Sequence, residues 1–97
     1  MSVQFLAFSG CPLADPAREN LKQALVECGM SDFEEIDILA PSAPEELSSW
    51  GSPTILVNGK DVTGIPKGNS VSCRVYPFDG GVPDVRSIVA GLKTAST

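Results

Sequence analysis

The chain has 97 residues, 42% of them apolar and 20% charged, which is the size of one domain with a modest core, expected to span 1–97. Seven basic against twelve acidic side chains leave a net charge of −5 with no lysine or arginine cluster, which excludes nucleic acid as a partner. No histidine is present, so Cys/His zinc sites and Ser-His or Cys-His hydrolases are excluded, and no apolar run approaches the roughly 18 residues of a membrane span.

Val3 to Phe8 carries apolar residues on both faces, Val3, Phe5 and Ala7 on one and Leu6 and Phe8 on the other, as a buried central strand does. No basic region precedes it and its apolar run is only about six residues, shorter than the roughly 7–15 of a signal-peptide core, so the expected location is the cytoplasm. Ser9-Gly10 ends the strand and Cys11 follows in an exposed break. Asp15-Pro16 reads as an N-cap followed by proline at the first helical position. Ala17, Leu21, Ala24, Leu25 and Cys28 then repeat at helical spacing up to Gly29.

Phe33 to Leu39 reads as a second strand, Ile36 and Ile38 facing one way and Glu35 and Asp37 the other, with the intervening helix making a parallel crossover. Ser42-Ala43-Pro44-Glu45 has the form of a capping box for a short helix ending near Trp50. Thr54 to Val57, Asn58-Gly59 and Lys60 to Val62 form a hairpin pattern with a type I′ turn. Thr63 to Gly81 is rich in Gly, Pro and Ser, with Val71 to Tyr76 as a short extended piece, and Pro83 starts a last helix with Val85, Ile88, Val89 and Leu92 on one face.

Strand direction ranks the three cysteines. If Cys11 marks the exit of the first strand, an antiparallel third strand starts at the same edge of the sheet and brings Pro53 alongside, while the Asn58-Gly59 turn lies at the opposite edge. The fourth strand then returns the loop holding Lys67, Cys73 and Arg74 to the Cys11 side. Cys28 continues the apolar stripe of the first helix and reads as core. An odd number of cysteines argues for reduced thiols rather than a disulfide framework. Cys11 is the candidate nucleophile, and the other reading of it is a small buried hydrophobe.

The order β-α-β, short helix, β-β-α is that of an α/β protein with a four-stranded mixed sheet flanked by helices. It resembles small bacterial thioredoxin-like and glutaredoxin-like proteins through Ser9-Gly10-Cys11-Pro12, Gly51-Ser52-Pro53-Thr54 and Gly80-Gly81. Gly51 to Val62 with Ser72-Cys73-Arg74 is also similar to thioredoxin-like domains found in mercury-resistance settings. The resemblance implies a thioredoxin-like fold, a cis Pro53 that presents the backbone of Ser52 to substrate, and a glutathione-binding role for Gly80, Gly81 and the acid Asp84. Turn glycines and a helix-favouring acid are the alternative for the last three.

The chain departs from a CxxC motif at Ala14, the second cysteine's place in Cys11-Pro12-Leu13-Ala14. A dithiol cycle within the motif is thereby excluded. What remains is a monothiol cycle with glutathione as co-substrate, or a resolving cysteine elsewhere. Cys73 is the candidate, with Arg74 beside it to favour thiolate or hold a substrate carboxylate; the alternative is an ordinary loop cysteine.

Three functions follow as expectations: a thiol–disulfide oxidoreductase acting on a disulfide-containing protein or on glutathione, a soft-metal carrier holding mercury or copper between Cys11 and Cys73, and a redox-silent binding module. A phosphate loop of the low-molecular-weight phosphatase and arsenate-reductase type needs arginine at the sixth position after the cysteine. Ala17 stands there and Arg18 is one residue late.

Overall fold

The computed structural model describes residues 2–65 and 76–95. Within them a four-stranded mixed sheet runs in the order β2-β1-β3-β4, built from β1 (Val3–Ala7), β2 (Glu34–Asp37), β3 (Thr54–Val57) and β4 (Lys60–Asp61). β1 pairs parallel with β2 and antiparallel with β3, and β3 pairs antiparallel with β4. The helices are α1 (Ala14–Glu27), α2 (Glu45–Ser48) and α3 (Val85–Ala95), with a 3-10 turn at Asp79–Gly81. The small α/β architecture with a mixed four-stranded sheet is the one expected from the pattern.

Both faces of β1 and β3 are covered, which is why these strands carry apolar residues at successive positions. Phe5 and Ile55 are fully buried with Ala17, Leu21, Ala24, Ile88 and Leu92, so one face of the sheet packs against α1 and α3. Leu6, Leu56 and Ile38 form the second cluster, against which Leu47 and Trp50 pack from the α2 side. The apolar stripe of α1 falls on the core as the 3.6-residue spacing requires. Cys28 sits at the C-cap, half-buried against the same core. Gly29 adopts φ +73°, and Gly29 N–H to Val26 O with Met30 N–H to Leu25 O closes the helix in a Schellman arrangement.

Several local expectations are corrected. α1 begins at Ala14 with Leu13 as N-cap and no side-chain cap bond. Asp15 therefore lies inside the first turn and not at the cap. Pro16 is tolerated there because first-turn N–H groups have no intrahelical partner to lose. The Ser42 capping box does not form: Pro44 is the N-cap of α2 and makes no side-chain bond. The last helix starts two residues after Pro83, capped by Asp84, whose Oδ1 accepts from Ser87 N–H at 2.7 Å. β2 and β4 are also shorter than their apolar runs, because Ala40 N–H turns back to Asp37 O and Thr63 N–H turns onto Asp61 Oδ1. Of the extended piece expected over Val71 to Tyr76, positions 71–75 lie outside the described residues, and Tyr76 is 2% exposed.

The Asn58-Gly59 turn has φ of +54° and +80°, as the type I′ reading requires. It reaches across to the N-terminal end of β1, where Asn58 N–H donates to Ser2 O and Asn58 Oδ1 accepts from Ser2 N–H. The turn is therefore at the edge opposite Cys11.

The Asp84 cap carries a pH dependence. Chiefly the Ser87 backbone N–H, and then its hydroxyl, hold the Asp84 carboxyl below its ordinary value. A carboxyl lowered in the folded state stabilises at pH above its unfolded value and loses that contribution as pH falls through its folded value. Asp84→Asn, an amide that caps without titrating, is expected to flatten the acid limb of a thermal-melt series below about pH 4. An unchanged limb contradicts the assignment.

Candidate functional site

The register Leu6↔Thr54 at the end of β1 sets Gly51-Ser52-Pro53 beside the segment that leaves β1. Two bonds join them. Phe8 N–H donates to Ser52 Oγ at 3.2 Å, and the Cys11 thiol donates to Ser52 O at 3.5 Å. The Ser52–Pro53 peptide is cis. Ser52, Pro53 and Cys11 are thus in one place, as the antiparallel pairing of β1 with β3 requires.

Gly10, at φ +89°, swings the chain so that Cys11 points inward. Cys11 N–H donates to Phe8 O at 3.3 Å and Ala14 N–H to Cys11 O at 3.2 Å, a tight turn leading straight into α1. The consequence overturns one expectation. Ser9, Gly10 and Pro12 are exposed, yet Cys11 itself is 8% exposed and belongs to the apolar core cluster with Ala14 and Ala17. The break is exposed backbone; its cysteine is not. Ala14, 6% exposed, occupies the buried place that a second cysteine of the motif would fill.

Ser52 has a separable structural role, since its hydroxyl holds Phe8 N–H while its carbonyl faces the thiol. Ser52→Ala removes the first contact and keeps the second. It is expected to lower stability by about 1 kcal/mol in urea unfolding, the net value of one such bond. No change in the midpoint would show that the Phe8 amide is satisfied otherwise.

Arg18 lies one helical turn into α1, and its guanidinium donates to Glu35 Oε1 at 2.9 Å and Oε2 at 2.7 Å and to Asp15 Oδ1 at 2.6 Å. It also rests 5.1 Å from the centroid of the Phe5 ring. The Glu35 bonds first, then those of Asp15, push its already high pKa further up against the opposing cost of burial. Its polar contacts are thus carboxylates of this chain. The Asp15–Arg18 pairing at i, i+3 is legible in the sequence; Glu35, on a strand seventeen residues on, is not.

Gly80 and Gly81 both take positive φ, +80° and +76°, in the turn before α3. Gly81 O accepts from Tyr76 N–H at 2.8 Å, and Asn20 of α1 donates to Pro83 O at 3.0 Å, fastening this segment beside α1. In Asp84, Oδ1 is committed to the helix cap. Cys73, its neighbour Arg74 and Lys67 lie outside the described residues, so the proposed resolving pair and the two-thiolate metal site do too. Among the described residues no group of three or more Cys, Asp or Glu side chains is arranged to hold a metal ion. No helix among them is long and apolar enough to cross a membrane.

Sequence reasoning missed Asp61, 6% exposed, whose Oδ2 accepts from Tyr76 Oη–H at 2.7 Å and whose Oδ1 accepts from Thr63 N–H at 2.8 Å and from the Thr63 hydroxyl. The Asp61-x-Thr63 spacing after a strand is a turn signal that was available. The tyrosine fifteen residues on was not. No protein-family model, curated protein or solved structure matches this chain.

Proposed function

We propose that the chain is a thioredoxin-like thiol–disulfide exchange protein in which Cys11 is the nucleophile. The observation that carries this reading is the Cys11 sulfur lying 3.5 Å from Ser52 O, at the edge where β1 ends and the antiparallel β3 begins. A thiol there faces a backbone carbonyl beside which an extended substrate is able to lie. In the reaction the Cys11 thiolate attacks one sulfur of a substrate disulfide. A Cys11–substrate S–S bond forms, the substrate S–S bond breaks, and its second sulfur leaves as thiolate. A second thiolate then attacks the Cys11 sulfur, forming a new disulfide with Cys11 as the Cys11–substrate S–S bond breaks, so that the substrate leaves with both sulfurs reduced, and Cys11 and the second thiol are oxidised. With Ala14 in the motif, that thiol is glutathione or Cys73.

A second reading is favoured by one observation, the 8% exposure of Cys11. Reactive cysteines are accessible, whereas buried ones behave as small apolar residues. On that reading the domain binds without redox chemistry. Iodoacetamide labelling of the native protein across pH separates the two. Exchange chemistry predicts that Cys11 alkylates ahead of Cys28 under native conditions. Labelling of Cys11 only at the rate of global unfolding supports the silent module.

A further inference from the structure

We propose that the outer edge of β2 is a docking strand for an extended peptide of alternating basic and apolar side chains. This inference is independent of the thiol chemistry. Among the described residues β2 ends the sheet, paired with β1 alone. Ile38 N–H donates to Ala7 O, so by the alternation of a parallel ladder Glu34 and Ile36 also turn their peptide groups to β1, while Glu35 and Asp37 turn theirs outward. The Asp37 carbonyl is taken by Ala40 N–H. The Glu35 N–H and C=O and the Asp37 N–H remain directed to the open edge.

The two sides of this edge differ in chemistry. On the α1 side a groove of about 360 Å³ runs past Phe8, Ser9, Arg18, Glu35 and Asp37. Glu35 and Asp37 are exposed, and the one cation there, Arg18, is held by Glu35 and Asp15. On the other side a groove of about 340 Å³ passes Ile36, Ala40, Ala43 and Leu47, together with the exposed acid Glu34, which accepts from Gln4 Nε2. A strand added to β2 sends successive side chains to opposite faces. Charge complementarity therefore selects basic residues for the side of Glu35 and Asp37, and the other side takes apolar ones over Ala43 and Leu47 with a basic one only where Glu34 lies. The added main chain supplies hydrogen bonds and the alternate pockets supply specificity, the general logic of strand addition.

The test is a titration of the isotope-labelled full chain with a capped peptide of alternating lysine and valine, followed by amide resonances and hydrogen exchange. The Glu35 and Asp37 amides are expected to shift and to gain protection on saturation. N-methylation of the peptide at alternate positions, which keeps its charge and removes main-chain donors, is expected to weaken binding roughly tenfold. Glutamate in place of lysine is expected to abolish it. A Cys11→Ser variant binds as the parent chain does, so loss of the thiol function leaves this result standing. Equal affinity for the N-methylated peptide, shifts that map away from β2, or no binding at millimolar peptide would overturn the proposal. In the last case the acids serve only to keep the sheet edge from pairing with other chains.

Discussion

Asp61→Ala is expected to destabilise the fold by about 3 kcal/mol, because one buried carboxylate is the acceptor of three hydrogen bonds. The carboxylate is 6% exposed and joins β4, the turn after it and Tyr76. Tyr76 in turn accepts from Ile55 N–H at 3.3 Å, so the chain of bonds ends on the central antiparallel pair. Truncation takes the acceptor from the buried Tyr76 hydroxyl and from the half-buried Thr63 amide, and losing a buried acceptor costs more than the net value of one bond. Asp61→Asn keeps one acceptor and falls between the two. Urea unfolding of both variants reads the difference directly. A loss below about 1 kcal/mol for the alanine variant would show that the network adds little.

The second large effect is at Gly91 in the middle of α3. Alanine is the better helix former by about 1 kcal/mol, so helix propensity alone predicts stabilisation. Packing predicts the reverse. A Cβ at Gly91 falls 2.2 Å from Val62 O and 2.5 Å from Val62 Cγ2. Val62 is itself packed in the core, and its carbonyl is held because the Thr63 N–H of the same peptide is bonded to Asp61 Oδ1 while Val62 N–H is bonded to Ile55 O. α3 must then tilt off the sheet, drawing Ile88 and Leu92 from the core. Gly91→Ala is expected to cost roughly 2 kcal/mol net, a fall of about 10 °C in Tm for a domain of this size. A rise in Tm would show that the helix moves freely over Val62.

These two positions also mark where sequence reading stops. The apolar run of Val3 to Phe8, the stripe of α1 and the Asn58-Gly59 turn each carry their own length, period or turn chemistry. They were therefore legible, and with them the order of elements and the meeting of Cys11 with Ser52-Pro53. Helix starts were less so: Asp15 before Pro16 imitates a cap, and only the tight Phe8 O to Cys11 N–H turn draws α1 forward to Ala14. The burial of Cys11 was hidden because it depends on how Gly10 aims one side chain under α1, while its sequence neighbours are polar, small or exposed. At Gly91 nothing in the neighbouring sequence names Val62 as the group its Cα faces. Long-range partners such as Tyr76 for Asp61, or Glu35 for Arg18, follow from packing and have no local signature.

The same inward turn of Cys11 decides whether its thiol reacts in the folded protein. The most direct measurement is incubation of the native chain with oxidised glutathione, followed by intact mass and peptide mapping without reduction. A mixed disulfide at Cys11 is expected, forming under conditions where the fold is intact and absent in Cys11→Ser. Glutathione on other cysteines alone, or on none until the protein is unfolded, would contradict it and leave Cys11 as a core residue.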